Sequence, residues 1–85
     1  MKAYSLVGID GNAYSVMGYT VKAMQAACKQ VRSSTALQKF GSVAQTAYTA
    51  EATSSDYNHL IRVSVDMLDS VNKSFEEEGF ELELL

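Results

Sequence analysis

The chain changes its hydrophobic period several times, and each change predicts an element. Over residues 2–9 Tyr4 and Leu6 fall on one side of a pleat, and Val7 and Ile9 follow on the other. This pattern predicts a first strand, with Gly8 marking close packing against the backbone. Asp10-Gly11-Asn12 interrupts the strand as a tight turn, with Gly11 expected at positive φ. Asn12 is the expected helix N-cap, its side-chain oxygen accepting from the amide of Tyr14 or Ser15; Asp10 is the competing cap. From residue 13 to 31 the period becomes helical. Ala13, Met17, Val21, Met24, Cys28 and Val31 recur at spacings of three and four, widened by Val16, Thr20 and Ala27. Lys22, Gln25, Lys29 and Gln30 take the other side, and Gly18 suggests a second backbone close by.

Beyond this helix Arg32-Ser33-Ser34-Thr35 supplies several caps and a break. Residues 34–52 then read either as one helix tolerating Gly41, or as a short turn over 36–40 and a helix over about 43–52 capped by Ser42. Asp56 opens a third helix carrying Tyr57, Leu60, Ile61, Met67, Leu68 and Val71, with Ser64 as a polar intruder. Ile61, Val63, Val65 and Met67 also alternate as in a strand, but the aspartate cap and the absence of glycine through Asn72 favour the helix. Residues 72–79 read as a polar connection, and Phe80, Leu82 and Leu84 alternate with Glu81 and Glu83 as a final strand. The fold class this predicts is α+β: strand, three helices, strand, with the terminal strands paired and the helices on one face.

The 85 residues make a single domain near the lower size limit for a stable core. One cysteine, Cys28, excludes an internal disulfide and a Cys-rich zinc site, and suits a reducing, cytoplasmic compartment. No apolar run approaches the ~18 residues that span a bilayer, and the interrupted N-terminal run does not read as a signal peptide. The net charge of −3 is split, about +4 over residues 1–40 and −7 over 41–85. Its scattered cations do not form the dense basic patch that general nucleic-acid binding requires.

Two blocks carry a resemblance. Gly8-Ile9-Asp10-Gly11-Asn12-Ala13-Tyr14 and Glu51-Ala52-Thr53-Ser54-Ser55-Asp56-Tyr57-Asn58-His59-Leu60-Ile61 together cover about a third of the chain. They resemble a family of small proteins encoded by tailed phages and bacterial mobile elements, which share a G-[IV]-D-G-N-A-[FY] turn and a downstream E-A-x-S-[GS]-D-Y-[DN]-x-L-[LI] segment. Ser55 stands where glycine is usual and Asn58 where aspartate is common, which counts against an essential carboxylate at 58. The resemblance implies a phage-type setting, hence the host cytoplasm, and no mechanism.

The candidate constellation is Asp10, Gly11, Asn12, Asp56, Tyr57 and His59, with Asp10, Asn12 and Asp56-Tyr57 expected to meet in space. Neither turn has the spacing of a phosphate-binding glycine loop. A lone histidine does not make a metal centre, so no catalytic residue, metal or cofactor is assigned. Cys28 lies on the apolar stripe and reads as a small core residue. Tyr14, Tyr19, Tyr48 and Tyr57 serve either as core or as interface anchors. The leading reading is a non-enzymatic protein that binds a host or phage protein. A binder of a nucleotide signal at the Asn12 helix start is the alternative, and it requires one of Lys22, Arg32 or Lys39 in the pocket. A hydrolase using Asp10, Asp56 and His59 ranks last. The small core and the open edges of two strands predict a homodimer, formed by strand addition or through Tyr19 or Tyr48.

Overall fold

The computed structural model describes residues 1–83 and contains four helices: α1 (Ala13–Val31), α2 (Ser34–Phe40), α3 (Ser42–Ala52) and α4 (Tyr57–Glu77). The fold is all-α, which corrects the α+β expectation. Among the described residues the termini form no strand, only one parallel bridge between Lys2 and Glu83. Leu84, the last member of the expected strand face, lies outside the described residues.

Helices α1 and α4 are the long elements, and they pack chiefly on one another. Their starts meet where the Tyr57 hydroxyl reaches Gly11. Near their ends Val31 shares a surface hollow with Ser74 and Glu77. The two helices therefore run parallel and in register, each about 27 Å over that span at 1.5 Å per residue. A parallel pair needs a return path of equal length, and residues 34–52 provide it: α2 and α3 together cover about the same distance. Of the two readings left open for this stretch, the broken one is observed. The break falls at Gly41, which caps α3 without a side chain and donates its N–H to Leu37 O at 2.8 Å. A Cβ at Gly41 would collide with that carbonyl oxygen. Ser42, the expected cap, is already inside α3.

The buried face of α1 comprises Val16, Thr20, Ala23, Met24 and Ala27. Of the expected stripe only Met24 is fully inside; Val16, Thr20 and Ala27, expected only to widen it, and Ala23, named in neither, fill the buried face, because small side chains let the neighbouring helices come close. Met17, Val21, Cys28 and Val31 flank it, partly buried. The Thr20 hydroxyl donates to Val16 O at 2.8 Å, so its burial leaves no orphan donor. Gly18 meets no neighbour where a Cβ would stand, contrary to the close approach expected of it.

Helix α4 continues through the expected polar connection to Glu77, because Val71 and Phe75 extend the core face set by Leu60, Ser64 and Leu68. Ser64 is no intruder: its hydroxyl and that of buried Tyr48 on α3 share a hydrogen bond of 2.6 Å. Met24, Phe40, Val71 and Phe75 fill the centre of the core.

The N-terminal segment is held by side chains in place of a sheet. Asn72 accepts from Tyr4 N at 2.8 Å through Oδ1 and donates to Tyr4 O at 2.9 Å through Nδ2. The Tyr19 hydroxyl accepts from Ser5 N at 2.9 Å. The Tyr4 ring stacks on Phe75, with centroids 6.1 Å apart, and burial together with Tyr19 pushes its phenol above the ordinary value. Gly8 has φ +80° in a turn closed by Ile9 N and Leu6 O, and nothing packs against it.

The Tyr48–Ser64 pair gives an asymmetric prediction. Ser64→Ala strands a buried phenol and is expected to cost about 1–3 kcal/mol. The double variant Tyr48→Phe with Ser64→Ala removes both polar groups and should recover most of that loss. Urea unfolding of the single and double variants measures the difference.

Candidate functional site

The site lies at one end of the bundle, where the chain enters α1 and α4 and leaves α3. Asp10 begins it by accepting the Asn12 amide on Oδ1 at 3.1 Å, which tightens the turn. Asn12 then caps α1, its Oδ1 accepting from Tyr14 N at 2.8 Å, as expected. Gly11 does not take positive φ; the positive-φ glycines are Gly8 and Gly79. Asp10 carries the turn by itself, and the chain needs no left-handed residue to enter the helix. At α4 the expected cap is also present, with Asp56 Oδ1 accepting from His59 N at 2.9 Å.

The two blocks meet. The Tyr57 hydroxyl donates to Gly11 O at 2.5 Å across 46 residues of sequence. This bond joins the two turns directly, and Asp10 and Asn12 come with Gly11 as its chain neighbours.

His59 points elsewhere. Its Nε2 lies 3.1 Å from Glu51 O, 3.4 Å from Ser54 Oγ and 3.7 Å from the Glu51 carboxylate. The imidazole therefore closes the α3–α4 corner at the last carbonyls of α3. Ser54 Oγ donates to Glu51 O at 2.8 Å and lies 3.1 Å from the Glu51 carboxylate. Serine and glutamate both converge on the same ring nitrogen. A nucleophile–base–acid relay needs them on opposite nitrogens, so this cluster is a clasp. Glu51 and Ser54 were absent from the candidate residues, although both lie in the second block; the signal was a glutamate eight residues before the one histidine, across a helix end.

Between the two helix starts lies a shallow hollow of about 320 Å³, lined by Ala13, Tyr14, Met17, Ala52, Thr53, Ser55, Asp56, Tyr57 and Leu60. Tyr14 is 82% exposed and Tyr57 47% exposed. Of the four tyrosines weighed as core or anchor, Tyr48 is core, Tyr19 is half-buried with its hydroxyl on Ser5, and Tyr14 and Tyr57 stand at this surface. Lys22, Arg32 and Lys39 do not line the hollow; Lys39 lines a different one with Ser33, Thr35 and Glu77. Cys28 is half-buried, its thiol directed at Ala36 O at 3.7 Å, and desolvation pushes it above the ordinary thiol value, which disfavours the reactive thiolate.

Among the described residues no group of three or more His, Cys, Asp or Glu side chains is arranged to hold a metal ion, and no helix is long and apolar enough to cross a membrane. No family model, curated protein or solved structure matches the chain.

Removing the Tyr57 hydroxyl separates the two turns without touching either cap. Tyr57→Phe is expected to cost about 0.5–1.5 kcal/mol and to speed amide exchange in the first turn of α1. Asn12→Ala should cost about 0.5–2 kcal/mol with the same local signature. Hydrogen exchange resolved by residue, beside urea unfolding, checks both.

Proposed function

We propose that this chain is a small non-enzymatic accessory protein of the phage type, acting in the host cytoplasm by binding a protein partner through the α1–α4 corner. The observation that carries the reading is the pair of tyrosines, Tyr14 and Tyr57, exposed beside a hollow whose apolar lining includes Ala13, Met17 and Leu60. Exposed tyrosines over a concave apolar surface are the composition of binding anchors. The polar groups around them support the same reading, since Asp10, Asp56 and His59 are each engaged in holding a turn or a helix end. A nucleotide-signal binder is the weaker reading, because the hollow presents no Lys or Arg to a phosphate.

Photocrosslinking tests the reading. A benzophenone side chain in place of Tyr14 is expected to trap one protein of host or phage origin, whereas the same group in place of Val65, also exposed, is not. Equal trapping from both positions, or none from position 14, would overturn it.

Self-association belongs to the same proposal, by a changed route. Strand addition has no strand to add to among the described residues, and Tyr48 is buried. The outward surface at the α2–α3 junction, with Leu37 and Val43 exposed, takes their place. Sedimentation at micromolar concentration is expected to give more than the 9.3 kDa of one chain, and Val43→Asp to restore that mass.

A further inference from the structure

We infer that the occupant of the Tyr14–Tyr57 hollow is a cationic segment of the partner protein, an arginine or lysine flanked by apolar residues. The inference rests on the docking face proposed above and adds the sign of the partner's charge. Three carboxylates ring this end of the bundle: Asp10 at the entry to α1, Asp56 at the entry to α4, and Glu51 at the exit from α3. Among the residues lining the hollow the only charged side chain is Asp56. The positive ends of α1 and α4 both point here, but the negative end of α3 does too, so the dipoles partly cancel and the carboxylates dominate. Each aspartate spends one oxygen on a backbone amide. Both aspartates are exposed, so their attraction for a cation is one that added salt screens.

The tyrosines fit the same occupant. A guanidinium or ammonium laid over the face of an exposed phenol gains a cation–π contact, while its aliphatic stem covers apolar surface. Ala13 and Met17, both half-buried and both lining the hollow, provide that surface. An anionic ligand would meet repulsion from Asp10, Glu51 and Asp56 with no Lys or Arg among the lining residues to offset it. A second copy of this chain would bring its own acidic corner if the faces met symmetrically.

The test uses the full isotopically labelled chain and three probes: acetyl-Leu-Arg-Phe-amide, its glutamate counterpart acetyl-Leu-Glu-Phe-amide, and adenosine monophosphate. Amide shifts at Tyr14, Met17 and Ala52–Tyr57 should move with the arginine peptide and stay in place with the other two. Raising salt from about 0.01 M to about 0.15 M, which shortens the screening length from about 30 Å to about 8 Å, should weaken that binding several-fold. The decisive variant is Asp10→Asn with Asp56→Asn. Asparagine caps as well as aspartate, so both turns and the fold persist while two charges disappear, and the arginine peptide should bind about five-fold more weakly or worse. Equal response to the arginine and glutamate peptides, preference for the nucleotide, no response at the corner, shifts that follow protein concentration alone, or unchanged affinity in the double variant would each overturn the inference. The two readings fail separately: a partner crosslinked from position 14 and held equally well by the Asp→Asn variant keeps the docking face and removes the cationic occupant. Loss of site-specific crosslinking removes the face itself.

Discussion

Everything in this small fold depends on two helices lying parallel with their starts side by side. Adjacent parallel helices are not neighbours in the chain, because a return segment of matching length must lie between them. That constraint explains residues 32–56. A single straight helix would span the distance but could not also turn its small face toward both α1 and α4. Breaking it at Gly41 makes two shorter rods that pack independently: Phe40 of α2 enters the core, and Tyr48 of α3 reaches Ser64. The glycine is required for space, since its φ of −71° suits any residue while the Leu37 carbonyl leaves no room for a Cβ.

Parallel alignment sets like poles together, and the sequence answers at both starts. The two long helices place their unsatisfied amides and partial positive charges at one corner. Aspartates serve there in different ways: Asp56 caps α4 directly, and Asp10 holds the Asn12 that caps α1. The exit of α3 at the same corner supplies the opposite pole, and the Glu51 carbonyl in its last turn takes the His59 ring. Asp10, Asn12, Glu51, Ser54, Asp56 and His59 are thereby explained as the joinery of one corner, with the Tyr57–Gly11 bond as the tie between the two blocks.

Helix α1 and both side-chain caps at Asn12 and Asp56 were legible in the sequence, because caps and long periodic stripes are local signals; the meeting of the two blocks, 46 residues apart, was expected only from the turn at Asp56 bringing the chain back. The terminal strands were not. Alternation reports which side chains are wet, but a strand also needs a partner backbone. Here Tyr4 finds both of its hydrogen bonds in the carboxamide of Asn72, a side chain 68 residues away that no local window connects to it. The polar look of residues 72–79 misled for a related reason. One aromatic residue, Phe75, carries the core face of the last turns of α4, and a single residue is too few to establish a period. Ser64 read as an intruder because its partner, Tyr48, lies on another helix.

The same reasoning separates what the corner does for the fold from what it leaves available. A tyrosine that only tied Gly11 to α4 would be expected to bury its ring, as Tyr48 does in tying α3 to α4. Tyr57 spends its hydroxyl on the tie yet leaves nearly half of its surface to solvent, and Tyr14, the second residue of α1, is 82% exposed. In a chain of this size apolar area is scarce and the core is thin. Aromatic surface withheld from it, beside a joint fixed by two caps and a hydrogen bond spanning 46 residues, is surface held in place by the fold itself. Preorganisation of that kind lowers the ordering cost of association, which is why the exposed tyrosines matter more here than the same residues would on a mobile loop.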